Sequence, residues 1–145
     1  MSWEAMGGDS DLLSIPNIHS TRKTCTMFET KCIKVKLKPG SLERVREWAD
    51  ELNRRKEEAL ETMRDEGVIV ESAFLDSTAE GDFLIYYMKA ESFEKATAVV
   101  KQSVHAIDAY HQEFKQATTE SDTQLELLVD LDRIGENWPG EVTHL

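Results

Sequence analysis

Cysteine is scarce in this chain: two in 145 residues, Cys25 and Cys32. Their spacing suits neither a redox pair nor a zinc motif, and two are too few for a disulfide framework, so a reducing, cytoplasmic setting is expected. Basic charge is short as well. Seventeen Lys and Arg stand against 28 Asp and Glu, giving a formal charge of -11 and a pI near 4.8. With no local Lys/Arg cluster to offset this, nucleic acid and anionic membrane surfaces are not expected as partners. No apolar run approaches the length of a membrane span, and the N-terminus lacks the basic-then-apolar order of a secretion signal. No strong catalytic motif or cofactor fingerprint is present, so no cofactor is expected.

What the chain does have is periodicity. Residues 1–29 mix Gly7, Gly8, Pro16 and Asn17 with isolated apolar residues and read as a flexible leader; Met27 stands just before the first strand, where a start would lose nothing of the domain. Lys31 to Lys38 alternates, with Ile33, Val35 and Leu37 on one face and lysines on the other, the mark of a strand with one buried side. Pro39-Gly40-Ser41 ends it and offers Ser41 as an N-cap. From Leu42 to Glu66 an apolar stripe runs along a charged helix, and Gly67 is its expected stop. Val68 to Asp76 reads as a second strand. Phe83 to Met88, apolar on both faces, reads as a central third strand.

Ser92 to Ala117 has the pattern of one long helix with Ser92 as N-cap and Glu94 at the positive end of its dipole. Its stripe includes Ala96, Val100, Val104, Ile107, Tyr110 and Phe114. A polar connection follows over 118–122. Gln124 to Asp132 is expected as the fourth strand, with Leu125, Leu127, Val129 and Leu131 on one face and Glu126, Leu128, Asp130 and Asp132 on the other. Residues 135–145, with Trp138, form a tail, leaving 30–134 as the folded domain.

The clustered chemistry lies on the second helix. In a continuous helix His105, Asp108 and His111 step by about 60° around the axis, so neighbours can touch. A carboxylate that fixes the tautomer of a histidine leaves its other nitrogen basic, as acid/base catalysis needs. The candidate catalytic set is therefore His111, Asp108, His105 and Tyr87. Candidate ligand-binding residues are Glu71 and Tyr86 on the strands, Lys56 in the first helical stripe and Trp48 at its edge. Each has a structural alternative: His111 and Trp48 as packing groups, Lys56 as a packed stem with its head in water. His105 and His111, six apart, make a poor metal pair; a metal or haem site there is a third expectation, with no metal ligands assigned.

Strand, helix, strand, strand, helix, strand is the split pattern of a ferredoxin-like α+β fold: a four-stranded antiparallel sheet with two long helices on one face. The first and last strands then lie side by side, and the Lys34/Lys36 row should face the Glu126/Asp130/Asp132 row away from the helices. That helix-free side would expose an apolar patch, which a two-fold homodimer would cover. Over 31–134 this pattern resembles the dimeric α/β barrel superfamily, which includes cofactor-less monooxygenases of antibiotic synthesis, haem-degrading oxygenases and muconolactone isomerase-like proteins. The runs SVHAIDAYH (103–111) and GDFLIYYM (81–88) resemble more specifically a small prokaryotic family of unknown function. The resemblance implies a homodimer that takes a small molecule, as a cofactor-less oxygenase- or isomerase-like enzyme or as a non-catalytic binding or interaction module. Haem-degrading members use an Asn, a Trp and a second-helix His; His105 or His111 could stand for the last, but here no Asn lies on the strands and Trp48 is on the first helix.

Overall fold

A computed structural model describes residues 28–136. Its elements are β1 (Glu29–Leu37), α1 (Leu42–Arg54), α2 (Lys56–Glu66), β2 (Val68–Thr78), β3 (Gly81–Ala90), α3 (Phe93–Lys101), α4 (Ala106–Thr118) and β4 (Thr119–Gln124). The strands form one antiparallel sheet in the order β2-β3-β1-β4, the ferredoxin-like arrangement. β1 and β3 are central. Their alternation drives Ile33, Val35, Leu37, Leu84, Tyr86 and Met88 to one side, where they are buried with Val45, Trp48 and Phe114 of the helices. No described helix is long and apolar enough to cross a membrane. Most of the expected leader, with Cys25, and most of the tail, with Trp138, lie outside the described residues.

Each expected long helix is two. The first breaks at Arg55, whose guanidinium pairs with Glu51 and Glu58 on either side of the joint at 3.5 and 2.7 Å. Glycine and proline are absent there, so no local breaker announces the joint. The second breaks over 102–105. Ser103 Oγ receives the His105 N–H at 3.2 Å and donates to the Asp108 carboxylate, so this side-chain link replaces helical bonding. Val104, placed on the core stripe by a continuous helix, is 96% exposed.

The helix ends follow expectation in part. Ser92 caps α3 by accepting the Lys95 N–H at 3.2 Å. Gly67 ends α2 in the left-handed region at φ 73°, where a side chain would be strained. Ser41 holds the N-cap position of α1, but its hydroxyl makes no capping bond.

The fourth strand is shifted from expectation. It begins directly at Thr119, opposite Leu37, and its ladder runs to Gln124 opposite Ile33. One further bond, Leu125 N–H to Cys32 O at 2.9 Å, ends it. Leu125, Leu127, Val129 and Leu131 are therefore exposed rather than buried. The expected pairing of charge rows is corrected with it: Lys36 meets Glu120 at 3.3 Å. Asp130 and Asp132 instead reach Lys89 of β3 at 2.8 and 2.7 Å, and Thr30 donates to Asp130 at 2.8 Å. This arm neutralises a lysine that is almost fully buried.

Candidate functional site

The site grows from the way α1 and α2 stand over β2. Small residues on both sides, Ala49 and Ala59 on the helices and Ala73 on the strand, leave a cavity of about 530 Å³ that opens to solvent. Leu52, Leu60 and Met63 are half-buried because they face this space. The wall is mostly aliphatic. Its polar groups include Glu71 and Tyr86 from the sheet and the exposed Arg46 and Lys56 from the helices.

Glu71 and Tyr86 form a pair on the sheet. The register sets Glu71 opposite Met88 and Ala73 opposite Tyr86, so both polar side chains share the helix-covered face. The Tyr86 hydroxyl donates to Glu71 Oε2 at 3.2 Å. Oε1 is buried and receives no hydrogen bond from any described residue. Burial among apolar groups pushes the Glu71 carboxyl up to about 8, because charge without solvation is disfavoured. The Tyr86 phenol is raised well above its ordinary value by burial and then by the neighbouring Glu71. At neutral pH Glu71 is thus chiefly an uncharged acid.

Trp48 is the back wall. Its ring stacks on Phe114 at 4.5 Å between centroids and 6° between planes, and it tilts toward Tyr86 at 6.5 Å. Its Nε1–H donates to His111 Nδ1 at 3.2 Å. Nδ1 accepts, so the imidazole is neutral with its proton on Nε2. Full burial, aided by the nearby Lys115 ammonium, holds His111 well below the usual histidine range.

The eight residues singled out from the sequence divide sharply. Trp48, Lys56, Glu71 and Tyr86 line the one cavity. His111 lies behind Trp48 and Tyr86 with its ring buried. Asp108 and His105 belong to a separate depression of about 300 Å³ between α2 and the α3–α4 joint. There Asp108 is held by Ser103, and His105 Nε2 lies 3.0 Å from Asp65, a bond that raises the His105 pKa. Tyr87 faces the opposite side of the sheet from Tyr86, as alternation requires. The helical His105–Asp108–His111 ladder is therefore not formed: His105 precedes α4, and the hydrogen bond on His111 Nδ1 comes from Trp48. Among the described residues no group of three or more His, Cys, Asp or Glu could hold a metal ion.

Sequence reasoning did not assign Arg46 or the three alanines to the site. Small residues at Ala49, Ala59 and Ala73 are the one available signal, since they make room where a core would place larger side chains.

Fold and cavity together define a ferredoxin-like α+β protein with an open pocket between helix and sheet. Residues 28–136 match the model of a family of unknown function, DUF6176, and the chain belongs to that family. No curated protein matches it. Among solved structures, a provisionally assigned antibiotic biosynthesis monooxygenase from Nitrosomonas europaea is similar, with 12% identity, 68% of this chain and 86% of that chain covered, and a TM-score of 0.46. A conserved protein of unknown function from Bacteroides thetaiotaomicron, with a suggested oxidoreductase role, shares 18% identity over 71% of this chain and 100% of its own, at a TM-score of 0.46. Rv0793 from Mycobacterium tuberculosis shares 17% over 73% and 100%, at 0.45.

Proposed function

We propose that this protein binds a small, largely apolar molecule in the cavity beneath α1 and α2, and that it works as a homodimer in the cytoplasm. The observation that carries the reading is convergence: Trp48, Lys56, Glu71 and Tyr86 come from two helices and two strands to one cavity. An apolar wall with a few placed polar groups is the usual build of a ligand site. Binding is favoured over a His-Asp enzyme because His105 and His111, the candidate histidines, do not line this cavity. If chemistry occurs, Glu71 is the group poised for it, since its value of about 8 lets it hold or release a proton near neutral pH.

The test uses anilinonaphthalene sulfonate, an apolar anionic dye, and the variant Ala73→Trp. Ala73 is exposed on β2 and lines the cavity, so the indole fills the pocket without entering the packed core. Wild-type protein should bind the dye, and the variant should lose most of that binding while keeping its circular dichroism. Equal dye binding by the two proteins would overturn the reading.

A further inference from the structure

The arm that leaves β4 has the pattern of a strand and none of a strand's bonds. Its last ladder bond is Leu125 N–H to Cys32 O, and the next backbone bond among the described residues is Glu136 N–H to Arg133 O. The backbone of 126–132 makes none with any described residue. Its side chains nevertheless alternate. Asp130 and Asp132 both reach the Lys89 ammonium while Leu131 between them is 88% exposed, the two-residue period of an extended chain. That clamp turns the two aspartates onto their own subunit and leaves Leu127, Val129 and Leu131 exposed.

The sheet has an open edge of the same character. β2 bonds to β3 alone. It is 11 residues long, contains neither lysine nor proline, and exposes Ile69, Phe74 and Leu75; its one register shift lies at its start, between Val68 and Val70. Edge strands are commonly guarded by lysine or proline, because an open row of backbone groups on an apolar strand pairs with other chains. The opposite edge, β4, is TESDTQ and polar throughout. The unguarded edge is therefore β2.

We propose that in the homodimer the arm of each copy adds to the other copy's sheet, pairing 126–132 with the outer edge of β2. This rests on the homodimer reading above and adds which backbones meet. A chain's own arm does not serve its own β2, because Asp130 is tied to Thr30 of β1 and to Lys89 of β3. Reciprocal pairing about a two-fold axis covers both arms and both apolar edges at once. Arm on arm would leave the β2 edges open.

The experiment combines light scattering with hydrogen exchange read by mass spectrometry on the full chain, as wild type and as Leu128→Pro and Val129→Pro. Both positions are exposed and neither N–H has a described backbone partner, so each variant should keep its circular dichroism. Successive N–H groups of a strand point to opposite edges, so one of the two prolines removes a donor aimed at the partner. In the wild-type dimer, 126–132 and the outward amides of β2 should exchange roughly tenfold or more slowly than open peptide. The proline that faces the partner should weaken the dimer roughly tenfold or more, since the loss occurs in two symmetric contacts, and both segments should lose protection together. Wild-type dimers whose arm exchanges as open peptide, or prolines that leave dimer affinity unchanged, would overturn the pairing and leave the homodimer standing. Arm protection lost with β2 unaffected would also overturn it, in favour of another partner strand. A monomeric wild type would bring down the pairing and the homodimer together.

Discussion

Glu71 and His111 are the two residues whose ionisation the fold perturbs most usefully, and they act in opposite pH directions. Glu71 rises from an ordinary 4.5 to about 8, so between those values the folded state binds a proton that the unfolded state has released. Its contribution is complete below about 4.5 and is lost as pH rises through about 8. His111 is held low, so the unfolded chain takes up its proton first, and stability falls as pH drops below the usual 6.5. Glu71→Gln keeps the acceptor for Tyr86 and removes the titration. Urea denaturation should find the variant more stable than wild type by on the order of 2 kcal/mol near pH 9, with the gap closing toward pH 5. A gap independent of pH would mean that Glu71 does not titrate as its burial requires. Both residues were legible in the sequence as chemistry-bearing groups, but their neighbours were not. Asp108 stands one helical turn from His111, whereas the Trp48 that bonds it lies 63 residues away, a contact that only the packing of α1 on α4 creates.

At the scale of elements, periodicity gave the strands' and helices' order but not their joints. Hydrophobic spacing carries through both breaks, so a period of 3.6 cannot report them. The signal at the second break was chemical: Ser103, followed by His105 and Asp108, supplies a hydroxyl and a carboxylate that compete with helical hydrogen bonds. β4 was misplaced for a related reason. TESDTQ is polar throughout and lies on a sheet edge, whereas LELLVDL alternates as a strand should and yet is an exposed arm. The joint gives a paired prediction. Ser103→Ala removes the donor to a buried carboxylate and should cost about 1–2 kcal/mol in chemical denaturation. Val104→Lys, which would bury a charge if the helix were continuous, should stay within about 0.5 kcal/mol of wild type. A large loss at Val104 with none at Ser103 would restore the unbroken helix.

Among the described residues the sheet has one face covered by helices and one bare of them. On the bare side Phe74 is 60% exposed, and Phe83, Ile85 and Tyr87 beside it are only half-buried. Lys34 lies over the Phe83 ring at 4.3 Å, which shields part of the patch without removing it from water. The arm leaving β4 adds Leu127, Val129 and Leu131, while its Asp130 and Asp132 are tied down to Lys89. An apolar sheet face bordered by an apolar arm is costly to leave in water, and a second copy related by a two-fold axis presents the same patch to it. Light scattering on the purified chain should therefore give twice the 16.5 kDa chain mass. Phe74→Lys places a charge on that exposed apolar patch and should shift the species to monomer. The charge is solvated in the separated subunit, so circular dichroism and the cavity's dye binding, on the other side of the sheet, should survive. Dimers that persist in Phe74→Lys would mean that the copies meet elsewhere. A monomeric wild type would leave the bare face and the arm to a different cover, and the homodimer would have to be abandoned while the cavity, enclosed within one chain, would not.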